Sequence, residues 1–202
     1  MPIKNTICVV GNPNCGKTTL FNGLTGSNQI VGNWPGVTVE KKSGDFVYKN
    51  RHITIVDLPG IYSLQPSSAA SIDEKVARDY ILQNEAELVV NIVDASNLER
   101  NLYLTAQLIE MRVPMIVVVN MLDVAAAHKI EINIENLQRD LNCKVVGIVA
   151  SKEEGLKELC EAIDEQLDDL KTPPNPIAFH PDITEAIKQI GALLALSLIH
   201  IS

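Results

Sequence analysis

The sequence is poor in cysteine and in basic residues and has no long apolar run, and each shortage excludes a class of protein. Its 202 residues include four cysteines, none in a CxxC pair, which disfavours a disulfide framework and a structural zinc site and favours a reducing compartment. No window approaches the ~18–20 apolar residues of a membrane-spanning helix. The first apolar run, which ends at Gly11, is too short for a signal peptide. The net charge of −8 argues against a general nucleic-acid-binding surface, and the chain as given is expected to be soluble.

The rest of the composition is that of a globular protein, with 46% hydrophobic and 21% charged residues. Short β-branched runs alternate with helical patterns. The predicted strands are residues 6–10, 45–49, 52–57, 88–94, 114–120 and 144–149, and the predicted helices are residues 17–25, 72–83, 98–111, 134–142 and 156–170. This alternation predicts an α/β fold with a mostly parallel six-stranded sheet and helices on both faces. Strands 45–49 and 52–57 should form an antiparallel hairpin that turns near residues 50 and 51, and Ser71 with Glu74 predicts a capping box at the second helix.

A change in composition divides the chain near residue 171. Residues 171–176 read Lys-Thr-Pro-Pro-Asn-Pro, and three prolines in four residues predict a linker. A new helix is expected to begin at the cap Asp182 and to run towards Leu196. The last seven residues resemble the translation of a sequencing adapter, with a natural amphipathic helix end as the alternative. The expected organisation is one domain over 1–170, a linker and the start of a helical domain over 171–195, and a non-native tail over 196–202.

A glycine-rich segment directly after the first predicted strand carries the most specific pattern in the chain. Residues 11–18 read Gly-Asn-Pro-Asn-Cys-Gly-Lys-Thr and match GxxxxGK followed by Ser or Thr in full. The backbone N–H groups of such a loop face an anion, Lys17 reaches the outer phosphates and the Thr18 hydroxyl binds Mg²⁺. The alternative is a glycine-rich turn with an exposed lysine, which the strand–loop–helix context disfavours. The predicted phosphate-binding residues are Gly11, Asn12, Pro13, Asn14, Cys15, Gly16, Lys17, Thr18 and Thr19.

A second motif, Asp57-Leu58-Pro59-Gly60, ends the third predicted strand. An aspartate at this position holds the Mg²⁺ shell through water, and the Gly60 N–H faces a γ-phosphate. Taken alone, DxPG is usually a turn that ends a strand. Because it follows the phosphate loop on a neighbouring strand, all four residues are predicted to line the nucleotide site.

A third motif, Asn120-Met121-Leu122-Asp123, follows the buried run at 115–119. Guanine presents two adjacent N–H donors, which one carboxylate accepts together, whereas adenine offers no such pair. NxxD is common by chance and in isolation is as often a surface loop. At the carboxyl end of a buried strand, and third after the two phosphate motifs, it predicts that Asn120, Met121 and Asp123 select guanine.

The three motifs in this order resemble the GTPase domain of the translation-factor-related class. Two further stretches are narrower: residues 31–40, VGNWPGVTVE, and residues 94–105, DASNLERNLYLT. Both closely resemble the cytoplasmic G domain of the bacterial ferrous iron transport protein B (FeoB) family. The resemblance covers about residues 3–170 and implies a Ras-like P-loop GTPase fold. The residues from 171 onward look like the beginning of that family's helical spacer domain.

The resemblance also implies roles for single residues. Thr38 matches the switch I threonine that binds Mg²⁺ in the GTP state, with Gly36 and Val37 beside the nucleotide, and residues 60–71 match switch II. Asn14 matches the phosphate-loop asparagine associated with potassium-stimulated hydrolysis. The implied cofactors are GTP or GDP, Mg²⁺ and K⁺. The implied Mg²⁺ residues are Thr18, Thr38 and Asp57, the implied K⁺ residues are Asn14, Gly32 and Trp34, and the implied catalytic residues are Lys17, Asn14, Thr38 and Gly60.

Two positions depart from the pattern of related GTPases. Ile61 stands where many GTPases have a glutamine that orients water, so the transition-state charge must be stabilised in another way, which K⁺ would supply. The guanine-base loop is formed by Val149, Ala150 and Ser151, with alanine where serine is expected. The Ala150 N–H is still expected to meet the guanine carbonyl, but a hydroxyl contact is lost and the exchange rate is left open.

Two side chains in the motifs allow more than one interpretation. Cys15 is either a small filler or a thiol activated by the helix N-terminus, and the filler interpretation is favoured. Trp34 is either a core anchor or an exposed indole, and its Gly-Asn-Trp-Pro-Gly context favours the exposed indole. Cys8, Cys143 and Cys160 are expected in or near the core, and the four scattered histidines predict no metal site.

The expected activity is hydrolysis of GTP to GDP and phosphate, stimulated by potassium, in the regulatory domain of a ferrous iron transporter at the cytoplasmic face of a bacterial inner membrane. The expected partners are guanine nucleotide and the membrane transport domain of the intact protein, with no nucleic acid and with homo-oligomerisation left open. A ribosome- or tRNA-associated GTPase is an alternative that usually carries a basic appendage. A nucleotide-state binding module with negligible turnover is another: the missing glutamine favours it, and Asn14 opposes it.

Overall fold

One seven-stranded sheet organises the residues that a computed structural model describes, 4–26, 29–66 and 70–173. Its strands lie in the order β2-β3-β4-β1-β5-β6-β7. They are β1 (Lys4–Gly11), β2 (Gln29–Asn33), β3 (Glu40–Tyr48), β4 (Arg51–Asp57), β5 (Leu88–Asp94), β6 (Met115–Asn120) and β7 (Lys144–Gly147). The five strands from β4 to β7 are parallel, and β2 and β3 are added antiparallel at one edge. The carboxyl ends of β1, β4 and β6 therefore meet at one edge of the sheet.

Helices cover both faces of the sheet, as the alternating pattern predicts. They are α1 (Lys17–Thr25), α2 (Ile72–Leu82), α3 (Leu98–Glu110), α4 (Leu122–Ala127), α5 (Ile134–Leu141) and α6 (Leu156–Asp168). One apolar core contains Tyr80 of α2 and Leu104 of α3, and the other contains Phe21 of α1 and Ile163 of α6. All residues of β5 except the last and all of β6 are buried, because a central parallel strand has helices on both sides.

The local signals at α2 and at the β3–β4 hairpin are confirmed. The Ser71 hydroxyl accepts the Glu74 N–H at 3.1 Å and the Glu74 carboxylate accepts the Ser71 N–H at 3.0 Å, which is a complete capping box. In the hairpin, Tyr48 pairs with Arg51. The chain reverses through Lys49, whose φ of 50° lies in the left-handed region.

Three elements differ from the sequence prediction. The sheet has a seventh strand, β2, and β3 begins at Glu40 rather than at residue 45. The strand β2 was missed because four of its five residues are exposed, so it carries no apolar alternation. The six-residue helix α4 is too short to show a helical period. The predicted helix at 182–196 and the tail at 196–202 lie outside the described residues, and among those described no helix has the length and apolarity to cross a membrane.

Candidate functional site

Segments far apart in the sequence line one cavity of about 400 Å³ at the carboxyl edge of the sheet. The loop between β1 and α1 contributes Pro13, Asn14, Lys17 and Thr18, and the end of β4 contributes Asp57 to Gly60. These are the residues of the first two motifs, which the fold brings together as predicted. Three further charged residues line the same cavity: Glu40, Lys42 and Asp73.

The loop at 11–16 has a geometry that only glycine allows at two of its positions. Gly16 has a φ of 96°, and a Cβ there would lie 2.2 Å from the Asn120 side-chain nitrogen. A Cβ at Gly11 would lie 2.3 Å from the Ile92 carbonyl oxygen. At the start of α1, no side chain among the described residues caps the helix and its first turn has no acidic residue. The backbone N–H groups there are therefore free to bind an anion.

Lys17 folds back into this loop and lies next to Gly60. Its ammonium donates to the carbonyl of Asn12 at 3.1 Å and to that of Gly11 at 3.3 Å. A Cβ on Gly60 would come within 2.9 Å of the Lys17 nitrogen and 3.1 Å of the Pro13 Cα. The Gly60 N–H forms no hydrogen bond within the described residues. The second motif thus presents a free N–H donor beside the lysine.

Asp57 carries a buried carboxylate oxygen, Oδ1, with no hydrogen-bond partner among the described residues. Burial raises the pKa of Asp57, and the nearby charges of Lys17 and Lys42 oppose that rise. A desolvated carboxylate that faces a cavity is stabilised by a cation, and the Thr18 hydroxyl lines the same cavity. Asp57 and Thr18 therefore fit the oxygen donors that Mg²⁺ prefers.

The residues at the cavity mouth were missed by the sequence analysis, although one signal could have found two of them. Glu40 and Lys42 form an ion pair at 2.9 Å on β3, and Lys42 pairs across the sheet with Asp57. Residues two apart on a strand share a face, so the hairpin register predicts that both point towards Asp57. Asp73 lies in the first turn of α2, and no short-range pattern connects it with the phosphate loop.

Asn120 holds two loops together. Its side-chain nitrogen donates to the Cys15 carbonyl at 3.0 Å, and its oxygen accepts the Ala150 N–H at 2.9 Å. The residue is only 3% exposed. The Ala150 N–H, which was expected to meet guanine, is instead bonded to Asn120 in this structure, because the loop at 149–151 packs directly against the end of β6. Asn120 thus ties the phosphate loop to the predicted base loop.

Asp123 stands at the start of α4, following Met121, whose φ of 62° turns the chain out of β6. Its carboxylate forms an ion pair with Lys152 at 2.9 Å and accepts the Val124 N–H at 3.0 Å. The hydrogen bond from Lys152 lowers the pKa of Asp123, so the group is an ionised acceptor at neutral pH. Lys152 follows the predicted base loop, but its bond to Asp123 was not predicted.

The predicted switch I residues do not reach the cavity. Gly32 lies in β2 and pairs with Lys41 of β3, and Thr38 is exposed in the turn that joins the two strands. Within that turn Gly36 has a φ of 76°, and the Val37 N–H donates to the Trp34 carbonyl at 3.3 Å. The segment thus forms a hairpin at the sheet edge, and none of these residues lines the cavity of about 400 Å³ described above. Their roles towards Mg²⁺ and K⁺ stay predictions.

Trp34 is a core anchor, and the predicted exposed indole is wrong. The side chain is 7% exposed, and its ring packs edge-on against Tyr80 of α2, with centroids 5.3 Å apart. The Lys41 ammonium lies 4.6 Å from the centre of the Trp34 ring. The local glycine and proline pattern could not reveal this contact, because α2 lies about forty residues further along the chain.

Cys15 agrees with its favoured interpretation, and Ile61 is buried. Cys15 is buried and burial raises the pKa of its thiol, as expected for a small filler. Ile61 is 1% exposed, and its N–H donates to the Gly11 carbonyl at 3.2 Å. Of the other cysteines, Cys8 is buried and Cys143 and Cys160 are partly buried.

A mostly parallel sheet with a phosphate loop after its first strand, a buried aspartate at the end of the neighbouring strand and an Asn-x-x-Asp motif after a third strand has the architecture of a P-loop nucleotide-binding G domain. The family model described as "Ferrous iron transport protein B" matches residues 5–163. The chain therefore belongs to the ferrous iron transport protein B family.

Known relatives agree in sequence and in fold. The chain is 55% identical over 162 residues to the Fe(2+) transporter FeoB of Escherichia coli (strain K12), a match that covers 80% of this chain and 21% of the relative. It thus spans about a fifth of the curated relatives it matches. The cytosolic domain of L. pneumophila FeoB superposes with a TM-score of 0.88 at 40% identity, covering 96% of this chain and 82% of that one. An S. thermophilus NFeoB mutant bound to GDP superposes with a TM-score of 0.78 at 44% identity. This match covers 94% of the present chain and 72% of that one. The predicted Ras-like α/β class is confirmed.

Proposed function

We propose that this chain binds GTP with Mg²⁺ and hydrolyses it to GDP and phosphate, as the nucleotide-dependent domain of a ferrous iron transporter. The observation that carries the proposal is the single cavity in which the phosphate loop, the buried carboxylate of Asp57 and the free N–H of Gly60 converge. Each of these groups has the chemistry that one part of a nucleoside triphosphate requires. The relatives named above, one of which is bound to GDP, lend support from outside the chain.

In this proposal each residue acts on the phosphates or on their metal ion. Lys17 gives positive charge to the outer phosphates, and Gly60 donates its N–H to an oxygen of the γ-phosphate. Thr18 and Asp57 hold Mg²⁺, which neutralises charge on the phosphate oxygens when it is bound. Thr38 joins them only when the β2–β3 hairpin leaves its present position at the sheet edge.

Asp123 selects the base in this proposal. Its ionised carboxylate accepts the two adjacent N–H donors of guanine, which first requires the ion pair with Lys152 to open. Asn120 supports this selection indirectly, because its side chain bonds both the phosphate loop and the base loop and fixes their relative position. Ser151 and Val149 line the base pocket beside Ala150.

Potassium stimulation forms the finer part of the proposal. Ile61 is aliphatic and buried, so it cannot orient the attacking water, and another positive charge must stabilise the transferring phosphoryl group. Asn14 lines the cavity with a φ of 66°, and its side-chain oxygen is a neutral donor that suits a monovalent cation. Gly32 and Trp34 would add their carbonyls to Asn14 as K⁺ ligands only after the β2–β3 hairpin rearranged, because neither residue lines the cavity now.

The buried Ile61 also favours a second candidate, a nucleotide-state binding module with negligible turnover. Single-turnover hydrolysis of Mg-GTP by the 202-residue chain, in KCl and in NaCl of equal ionic strength, separates the two. A GTPase releases phosphate faster than GTP hydrolyses without protein, and a higher rate in KCl than in NaCl adds the potassium stimulation, whereas a binding module gives no release above that background in either salt.

Guanine selectivity is tested on the same chain with Asp123→Asn. This change should weaken GTP and GDP binding by about a hundredfold and favour xanthine nucleotides, whose donors and acceptors complement an amide. The measurement is titration with GTP, GDP, ATP and XDP. Equal affinity of the unsubstituted chain for GTP and ATP would contradict the proposed base selection.

The domain organisation and location of the intact protein are proposed from the similarity to the curated transporters alone. The matched region is 21% of the Escherichia coli transporter. We therefore propose that the intact protein carries a membrane transport domain, with this chain on the cytoplasmic side of the inner membrane. Extending the open reading frame past residue 195 tests this, since several long apolar spans should follow.

A further inference from the structure

A buried glutamine on α3 holds the chain that follows Gly60. The Gln107 side-chain oxygen accepts the Leu64 N–H at 2.7 Å, and its nitrogen donates to the Ser63 hydroxyl at 3.1 Å. Gln107 is 7% exposed, so these bonds are shielded from water. About two helical turns before it on the same helix, Arg100 lies 4.5 Å from the centre of the Tyr62 ring. Three consecutive residues of the segment thus contact one helix.

The helix that carries Gln107 is itself fixed to the phosphate-loop strand. The Thr105 hydroxyl donates to the Asn91 side-chain oxygen at 2.6 Å, and the Asn91 nitrogen donates to the Val10 carbonyl at 3.4 Å. Thr105 and Asn91 are fully buried, and Val10 immediately precedes Gly11. Because every polar group in this chain of bonds has a partner, the network sets the position of α3 relative to the phosphate loop.

The segment from Leu58 to Leu64 is short and is held by hydrogen bonds at both ends. At its start the Leu58 N–H donates to the Val9 carbonyl at 3.0 Å, and the Ile61 N–H donates to the Gly11 carbonyl at 3.2 Å. At its end Leu64 is held by Gln107. Gly60 lies between the bonds of Leu58 and Ile61, four residues before Leu64, lines the cavity and leaves its own N–H unbonded within the described residues. Fixing both ends of such a segment reduces the number of directions in which that N–H points.

We propose that Gln107 is a positioning residue for the γ-phosphate: by holding Ser63 and Leu64 on α3, it directs the Gly60 N–H at the terminal phosphate of GTP. The inference rests on the proposed function, because it needs a nucleoside triphosphate in the cavity. GDP has no γ-phosphate, so loss of Gln107 affects the triphosphate and leaves the diphosphate unchanged. This difference separates positioning from a general role in stability.

The chain contains a control for the bond type in this test. On α5 the side-chain oxygen of the exposed Gln138 accepts the Val145 N–H at 3.1 Å, which is the same kind of bond at the β7 edge of the sheet. Gln107→Leu and Gln138→Leu each remove one side-chain bond to a backbone N–H, and Gln107→Leu also removes the bond to the Ser63 hydroxyl. Gln107→Glu keeps an oxygen that accepts the Leu64 N–H and serves as the conservative variant.

The experiment compares the four 202-residue chains, unsubstituted and substituted, for affinity towards GMPPNP and GDP and for kcat with GTP. Gln107→Leu should lose about threefold to tenfold in GMPPNP affinity and in kcat, the range of one hydrogen bond, with GDP affinity unchanged. Gln107→Glu should recover most of the loss, and Gln138→Leu should match the unsubstituted chain. Amide hydrogen exchange at Leu64 should accelerate in Gln107→Leu, and exchange at Val145 should accelerate in Gln138→Leu.

Two results would overturn the inference: an unchanged ratio of GMPPNP to GDP affinity in Gln107→Leu, or the same loss of GMPPNP affinity in Gln138→Leu. Failure of the proposed function is seen separately, in the unsubstituted chain. If that chain binds neither nucleotide, the function and the inference fall together. If it binds both and only the ratio fails to respond, the inference alone is wrong.

Discussion

The phosphate loop and the β2–β3 hairpin both carry specific sequence motifs, but only the loop has the arrangement that its motif predicts. In the loop, the left-handed conformation of Gly16 and the close approach of Asn120 follow from the residue types themselves. In the hairpin, the position of Trp34 depends on Tyr80, which belongs to a separate helix. A motif predicts the local geometry where its residue types allow one backbone conformation. Where a contact with a distant segment decides the position of a side chain, the motif predicts the residue type alone.

The same difference separates what each region can do in its present state. The loop already presents Lys17, Thr18 and free N–H groups at the cavity. The hairpin keeps Thr38 and Gly32 away from the cavity, because its strands are paired with each other and Trp34 is buried against α2. Any step that uses Thr38 at the phosphates must therefore break contacts of the hairpin.

The largest effect is expected from Trp34→Ala, which removes the contact that places the hairpin. Truncating a buried tryptophan costs about 3–5 kcal/mol, so the free energy of unfolding should fall by about 3 kcal/mol. Urea unfolding followed by circular dichroism measures this. Val31→Ala is the control on the same hairpin, since Val31 is exposed and its loss should change stability by less than about 0.5 kcal/mol. Equal unfolding midpoints for the two variants would mean that Trp34 does not anchor the hairpin.

The next effect compares one substitution in the two regions. Gly16→Ala forces a Cβ into the Asn120 side chain at a φ of 96°, whereas a Cβ at Gly32 meets nothing within 4 Å. We expect Gly16→Ala to cost about 2 kcal/mol, or roughly thirtyfold in GDP affinity, and Gly32→Ala to cost almost nothing. Calorimetric titration with GDP and thermal unfolding measure both variants. A similar loss at Gly32 would contradict the view that only the loop is set by local geometry.

Much of the fold could be predicted from the sequence, because buried parallel strands and capped helices leave regular patterns. The β3–β4 hairpin and the capping box at Ser71 are decided by neighbours in the sequence, and both were found, although the turn lies at residues 49 and 50 rather than at 50 and 51. The strand β2 was not found, since it is mostly exposed and pairs with no strand other than β3 among the described residues. An edge strand of this kind has no apolar face that a sequence pattern could report.

The contacts of the candidate site also divide into those that the sequence predicted and those that it did not. Lys17, Asp57 and Gly60 were predicted to meet, because parallel strands end at one edge of the sheet. The ion pair between Lys152 and Asp123 was not predicted. The two hydrogen bonds by which the Asn120 side chain joins two loops were not predicted either. Both depend on the packing of the base loop against β6, which no single segment of the sequence specifies.

A third effect concerns the place where the two regions must meet. Asn14→Ala should remove at least about a tenfold stimulation of kcat by KCl over NaCl, because it deletes the neutral oxygen that the loop offers to a cation. Nucleotide affinity should survive, since Lys17 and the loop backbone are unchanged. Phosphate release at equal ionic strength measures the response, with the exposed Asn136→Ala on α5 as control. A potassium response that persists in Asn14→Ala would remove this residue from the mechanism.

The smallest effect is expected at the base loop, which shares the fixed geometry of the phosphate loop through Asn120. Ala150 is buried and its N–H is already bonded to Asn120, so the backbone at this position is held in place before any substitution. Ala150→Ser adds a hydroxyl to that fixed backbone at the position where related GTPases have serine. One neutral hydrogen bond contributes ~0.5–1.5 kcal/mol, so GDP should dissociate up to about tenfold more slowly. Stopped-flow displacement of a fluorescent GDP measures the rate, with Ala126→Ser on α4 as a control outside the loop. An unchanged rate would mean that the backbone and Asp123 together set the lifetime of the complex, and that the alanine carries no consequence for exchange.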